Sequence, residues 1–258
     1  VVIRLLCIKN KFLTFKTYTI WFSEAPFEVD GVAGVTFMSC PCKVDLPGFS
    51  RREHSTIVLD LKRPLDTLWN ELGKTNRQRI KKAERTGVQI SIDKDQEEFI
   101  RMNDRFRRIK GLPSHTVSPE YMKAYGTLFT AVLDSELLAG CFNLVDDLNM
   151  RGLIGATIRL EVEPERQSLV GNANRMLEWE MIKYAKERSM DTYDIGGYYT
   201  GEHPDQEKSN INEFKRSFGG ALVSRYDYQK DYSPLLKGAR LVKNSLDKGL
   251  AGERPLDG

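Results

Sequence analysis

The tightest constraint on this chain is the order of elements between residues 129 and 197. Three apolar runs, Phe129 to Leu133, Leu138 to Val145 and Met150 to Ile158, are separated only by Asp134-Ser135 and by Asp146-Asp147-Leu148-Asn149. Connections that short join antiparallel neighbours, so the runs predict a meander. A helix over about Val170 to Arg188 comes next, with Ala173, Leu177, Met181 and Ala185 recurring on one face. Asp191 to Ile195 then reads as a strand ending in Gly196-Gly197. Such an order predicts a mixed sheet with helices on both faces.

The flanking chain supplies further elements. Residues 1–57 read as short strands and turns: Phe15 to Phe22 is rich in Thr, Tyr, Ile and Trp, and Gly31, Gly34, Pro41, Pro47 and Gly48 punctuate the stretch after it. Ser55 to Leu61 is a β-branched run suited to a buried strand. After Pro64 a helix is expected from Leu65 to Leu72, stopped by Gly73, and a second from Lys74 to Arg85, stopped by Gly87. Val88 to Ile92 is a short strand. Phe99, Met102, Phe106 and Ile109 mark a helix over Asp95 to Ile109, and Ser118-Pro119-Glu120 opens another through Tyr121 and Tyr125. Beyond the glycines, Tyr198 to Asn210 reads as a mobile polar lid. It leads to a short helix at Ile211 to Phe218, a strand at Ala221 to Tyr228 and a basic helix at Ser233 to Lys248.

Composition narrows the class. Of 258 residues, 40% are hydrophobic and 29% charged, which is the balance of a globular protein with core enough for one or two domains. A net charge of +3 is too small for a bulk nucleic-acid binder, so any anion contact must come from a local cluster. Cys7, Cys40, Cys42 and Cys141 show neither zinc spacing nor a disulfide framework and read as reduced thiols. His54, His115 and His203 are scattered, so no metal is assigned. No apolar run is long enough to span a bilayer, and the greasy N-terminal stretch is broken by Arg4, Lys9 and Lys11 with no cleavage site after it. The expectation is a cytoplasmic protein, with peripheral contact to a membrane left open.

Chemistry has three candidate locations. Asn212 to Gly220 (NEFKRSFGG) sets one lysine between two phenylalanines on a short helix. At helical spacing Phe214 and Phe218 share a face, which leaves Lys215 beside an apolar wall. A partly desolvated ammonium there can stabilise the oxyanion of an acyl transfer. The plain alternative is an exposed surface lysine. Over Lys74 to Arg85 (KTNRQRIKKAER) only Glu84 offsets six positive residues. Either this is a solvated face, or Arg77, Arg79, Lys81 and Lys82 contact phosphate. Asp194, just before the strand-ending glycines, is either a general base or a cap on the glycine turn. Tyr198 and Tyr199 either line the same cleft or serve packing.

Taken in order, these motifs resemble the FemABX family. Thr56 to Leu61 (TIVLDL), Arg77 to Val88 (RQRIKKAERTGV), Trp179 to Ala185 (WEMIKYA), Tyr193 to Gly197 (YDIGG) and Phe214 to Gly220 (FKRSFGG) match its signatures in sequence order. The resemblance covers residues 55 to 248. It implies an α/β fold of GNAT type, a mainly antiparallel mixed sheet whose long helix packs beside splayed central strands. Residues 58–258 would be the GNAT-like acyltransferase domain and residues 1–57 a β-rich, reduced first GNAT-like subdomain, without the coiled-coil arm of some members.

The implied activity is transfer of an amino acid from aminoacyl-tRNA to an amine of a cell-wall (peptidoglycan) peptide precursor, soluble or lipid-linked. It uses no covalent enzyme intermediate and no cofactor beyond the charged tRNA. Lys215 matches the lysine of the family's FK-x-x-FG motif, which is implicated in catalysis, and Phe214 accompanies it. Tyr121 resembles the tyrosine of a substrate-contacting segment, though the arginine expected shortly before it is missing from His115 to Ser118. Two rivals share the scaffold: an acetyl-CoA-dependent GNAT N-acetyltransferase and a non-catalytic ligand-binding protein. For the first, Ser168 to Ala173 (SLVGNA) is one step short of the Q/R-x-x-G-x-G/A turn that holds the CoA pyrophosphate at a helix N-terminus.

Overall fold

The computed structural model describes residues 5–114, 117–201 and 205–252, with side chains up to residue 243. In chain order the elements are β1 (Leu6–Phe12), β2 (Phe15–Trp21), β3 (Gly34–Cys40), β4 (Ser50–Asp60), α1 (Leu65–Glu71), α2 (Lys74–Thr86), β5 (Gln89–Ile92), α3 (Gln96–Ile109) and α4 (Pro119–Tyr125). Then come the meander β6 (Gly126–Leu133), β7 (Glu136–Val145) and β8 (Asn149–Thr157), a 3-10 turn (Ile158–Leu160), α5 (Pro164–Glu187), β9 (Thr192–Tyr198), α6 (Gln206–Arg216), β10 (Ala221–Asp231) and α7 (Pro234–Gly252). They gather into two compact units, one of residues 55–223 and a smaller one of residues 5–54 with residues 224 onward. The expected boundary after residue 57 falls inside β4, close to where the chain leaves the smaller unit.

Local chemistry sets most element ends in the larger unit. Gly87 closes α2 at φ 89°, with its own N–H and that of Val88 reaching back to Ala83 O, a conformation that a side chain would strain. Ser118 accepts from Tyr121 N and Pro119 opens α4, as the Ser-Pro-Glu run predicts. Helix α5 begins at Pro164, earlier than its apolar periodicity announces, because Pro164 and Glu165 suit a first turn whose amides need no helical partner. Asp205 caps α6 by accepting from Lys208 N at 2.9 Å. Thus the back half of the expected lid is helix and its front, Tyr198, is strand. Glu202 to Pro204, in its middle, lie outside the described residues, as do His115 and Thr116.

The sheet of the larger unit runs β4-β9-β8-β7-β6-β5, antiparallel throughout except for β8 against β9. Alternation of side chains along β7 places the helices. On one face the Tyr184 ring of α5 meets Phe129 at 4.8 Å, and Asn143 Nδ2 reaches Met181 Sδ at 3.0 Å. On the other, α3 lies so close that a Cβ on Gly140 would come 2.5 Å from the Phe99 ring. Leu177, Met181 and Ala185 of α5, Phe99 and Met102 of α3, and Phe142 of β7 are buried between these layers. The fold is therefore the expected mixed α/β arrangement with helices on both faces.

The smaller unit is a four-stranded sheet, β1-β2-β3-β10, over a core that includes Ile20, Val35, Phe37 and Tyr228. Its β3–β10 ladder bulges opposite Asp227, whose carboxylate accepts from Ser39 N at 2.9 Å and pairs with Arg52 at 2.7 Å. His54, one of the three histidines, lies 3.6 Å from that same carboxylate. All four cysteines are free thiols. Among the described residues no helix is long and apolar enough to cross a membrane.

Candidate functional site

Strands β8 and β9 pair through only three positions, ending at Arg151 opposite Asp194. Each carries a bulge at that point. The register of β8 against β7 shifts at Phe142/Asn143, and that of β9 against β4 shifts at Ile57/Val58, which leaves Ile195 as the extra residue. Bulges re-aim backbone groups and recur beside active sites. Here the second is held by Asp194, which accepts from Thr56 Oγ1, from Arg151 Nη1 and, at 2.8 Å, from Gly196 N. Gly196 takes φ 104°, where a Cβ would stand 3.3 Å from Gly152 O and 3.4 Å from Lys215 Nζ. Only glycine meets both demands.

Helix α6 brings Lys215 to this place. The Asn212 side chain bonds the Tyr199 backbone twice, accepting from its N at 3.0 Å and donating to its O at 2.7 Å, so the helix is tied to the end of β9. From there the half-buried Lys215 donates to Gly197 O at 2.5 Å. Phe218 is buried and Phe214 half-buried, with their rings 5.1 Å apart, as the motif predicts. Lys215 makes no ion pair among the described residues, and a lysine ammonium carries three protons, so Gly197 uses only part of its donor capacity. Burial holds the ammonium below the ordinary lysine range, partly offset by Glu178 and Asp194, while Arg151 lowers it further.

Glu178 is the site residue that sequence reasoning missed. It sits on the buried face of α5, 6% exposed, and accepts from the Tyr193 hydroxyl at 2.7 Å. Burial pushes its carboxyl up to about 7, while the Tyr193 hydrogen bond and the Lys215 charge pull the other way. Cys141 faces the same group: burial and then Glu178 raise its thiol, and Lys215 lowers it. The one sequence signal was an acid set among Leu177, Trp179 and Met181 on a core-facing helix, where an unpaired carboxylate is costly.

The other expected site residues scatter. Asp194 caps the glycine turn, and with three donors on a buried carboxylate it has little capacity left to act as a base. Tyr198 and Tyr199 sit at the end of β9 beside Lys215, with Arg216 Nη1 3.4 Å from the Tyr198 hydroxyl and Lys208 4.5 Å from the Tyr199 ring. Tyr121 packs on Tyr125 and Phe142, on the face of β7 opposite Cys141, so no described contact joins it to Lys215.

The basic helix also divides. Arg77 is turned back onto α1, donating to Asn70 O at 2.9 Å and Leu72 O at 2.5 Å, so it caps carbonyls and is not presented as a phosphate contact. Lys81 and Lys82 are exposed, Lys81 lying 6.0 Å from the Trp69 ring, and Arg79 is exposed as well. The segment Ser168 to Ala173 lies inside α5, a full turn past Pro164. Its amides are used within the helix and form no pyrophosphate turn.

No protein-family model matches the chain, and no curated protein matches it. Solved structures do. FemX superposes with a TM-score of 0.63 at 15% identity, over 92% of this chain and 86% of FemX. L-PGS from Bacillus licheniformis gives 0.55 at 11% identity, over 94% and 88%. The C-terminal domain of a putative lysylphosphatidylglycerol synthetase from Agrobacterium fabrum gives 0.52 at 11% identity, over 88% and 80%. At such identities the likeness is one of fold. The chain has the FemX-like, mixed α/β fold that its motifs implied.

Proposed function

We propose that this protein is an aminoacyltransferase that moves an amino acid from aminoacyl-tRNA, or a related activated acyl ester, to an amine of a peptide acceptor. The observation that carries the reading is the half-buried Lys215 ammonium, anchored on Gly197 O at the bulged end of β9, whose charge and that of the buried Glu178 influence one another. The acceptor nitrogen attacks the ester carbonyl, a C–N bond forms, and the carbonyl pair moves onto oxygen. Lys215 stabilises that oxyanion through a proton not used by Gly197. Glu178 takes the proton that the nitrogen loses. Collapse breaks the C–O bond, and the leaving ribose oxygen takes the proton that Glu178 received from the nitrogen, so Glu178 is regenerated and no bond to the enzyme forms at any stage.

A carboxyl near 7 beside a desolvated lysine supports this reading, because a base works best with an affinity near the working pH. So does the shared fold with FemX and with a domain whose name places a lysyl group on phosphatidylglycerol. The position of Ser168 to Ala173 inside α5 favours a tRNA ester over acetyl-CoA.

The deciding experiment is Lys215→Met, which keeps the stem and removes the charge. Losing one oxyanion donor costs about 3 kcal/mol, so single-turnover transfer from mixed charged tRNAs to candidate amines, read by mass spectrometry, falls roughly a hundredfold or more. Donor binding and melting stay close to wild type. A folded variant with near-normal turnover refutes the role, and a wild type that binds but never turns over leaves a non-catalytic binding protein.

A further inference from the structure

The register of the sheet sets Asn143 of β7 opposite Gly152 of β8, just where β8 and β9 stop pairing. Asn143 is fully buried. Its Nδ2 donates to Met181 Sδ at 3.0 Å and to Cys141 O at 3.4 Å, which turns Oδ1 to the other side. There Oδ1 has no hydrogen-bond partner among the described residues. An amide oxygen buried without a bond is costly, and folded proteins leave few of them.

Gly152 defines the space this oxygen borders. A Cβ there would stand 3.7 Å from Asn143 Oδ1 and 3.2 Å from Ile195 O. Ile195 is the extra residue of the β9 bulge, the one that a bulge leaves out of the ladder. Two uncharged acceptor oxygens therefore flank a space that the lack of a side chain at 152 keeps open. Gly152 is half-buried, so the space has a solvent side. The reacting groups adjoin it: a Cβ on Gly196 would lie 3.3 Å from Gly152 O and 3.4 Å from Lys215 Nζ. Met181 Sδ, which meets Asn143, is also 3.9 Å from the Tyr193 hydroxyl that bonds Glu178.

Acceptor oxygens are satisfied only by donors. An amino group offers two or three N–H bonds in a small volume, whereas an ester or a simple alkyl chain offers none. We propose that Asn143 Oδ1 and Ile195 O hold the free α-amino group of the amino acid being transferred, so that the site takes aminoacyl donors and disfavours a plain acyl group such as acetyl. Placing this amine on the donor rests on the transfer reading. The attacking amine fits the pair less well, because it must give a proton to Glu178 and turn its lone pair to the carbonyl carbon. The α-amino group changes no bond during transfer. It is attached to the carbon next to the carbonyl, so holding it fixes the carbonyl while Lys215 meets the oxyanion.

The test uses the whole isotope-labelled chain and three small probes: glycinamide, its hydroxyl analogue glycolamide, and N-acetylglycinamide. In NMR titrations glycinamide is expected to move the Gly152 amide and Asn143 side-chain resonances, and the other two probes bind about tenfold more weakly or worse. Asn143→Leu removes the unbonded oxygen, so it melts at or above wild type while its glycinamide affinity falls about tenfold. Gly152→Ala keeps that oxygen, fills the space and loses the same preference. In single-turnover transfer, wild type favours aminoacyl-tRNA over its N-acetylated form by about tenfold or more, and Asn143→Leu narrows that gap. A wild type that shows this binding pattern and never transfers sinks the transfer reading and leaves the amine site standing. A wild type blind to glycinamide, unchanged preference in both variants, or an Asn143→Leu chain that melts well below wild type overturns the proposal.

Discussion

Replacing Glu178 by Gln separates stability from catalysis, because the proposed base is also a buried acid. Its folded-state affinity for a proton is raised from the ordinary 4.5 to about 7, mainly by burial. A raised carboxyl means that the folded protein binds the proton more tightly than the unfolded chain does. The associated stability is fully present below about 4.5 and is lost as pH rises through about 7. At 1.36 kcal/mol per pH unit, ionising Glu178 costs on the order of 3 kcal/mol above neutrality. Gln keeps an oxygen for the Tyr193 hydroxyl to bond, 2.7 Å away in the wild type, and cannot ionise.

The variant is therefore expected to melt like wild type near pH 4 and several degrees higher at pH 8, at about 2–4 °C per kcal/mol. Transfer moves the other way. Wild-type single-turnover rate rises with pH through about 7. The variant's rate is flat and lower by roughly a hundredfold or more at pH 8. The assays are calorimetry and single-turnover transfer across that pH range. A Gln variant that keeps the wild-type pH–rate curve refutes Glu178 as the base, and one that melts lower at pH 8 refutes the claim that its charge opposes folding.

Two further substitutions probe the frame. Arg77→Ala should cost about 1–2 kcal/mol of stability by uncapping α1, while the salt dependence of anion binding stays as in wild type. Comparing its melting and its salt-dependent tRNA titration with those of wild type checks this. Gly196→Ala places a methyl at φ 104°, 3.4 Å from Lys215 Nζ, with a strain of about 1–3 kcal/mol. Transfer should fall further than melting alone accounts for, and a variant that loses stability but keeps its rate per folded molecule would show that Lys215 is not positioned by this turn.

The elements of the larger unit were legible because their signals are local. Short turns dictated the meander, Gly87 ended α2, and Ser118-Pro119 opened α4. Lys215 was legible for a similar reason, since the spacing of Phe214 and Phe218 fixes which way the lysine leaves the helix. The strand carrying Asp194 was read as stopping at the glycines, yet it pairs with β4 through Gly196, Gly197 and Tyr198, because a bulge lets glycine stay inside a ladder. Charge was the least legible property. Arg77 and Arg79 look alike in a basic run, but one folds back onto the carbonyls of the preceding helix and the other stays exposed. Which of these happens depends on contacts that no window of sequence contains.

The charges of the larger unit are sorted rather than spread. Around Lys215 the cations Lys215 and Arg151 are matched by Glu178 and Asp194, so the centre holds balanced charge in a place where an unmatched ion would be costly. That balance suits an amine and an ester, which enter uncharged at the reacting atoms and build charge only as the bond forms.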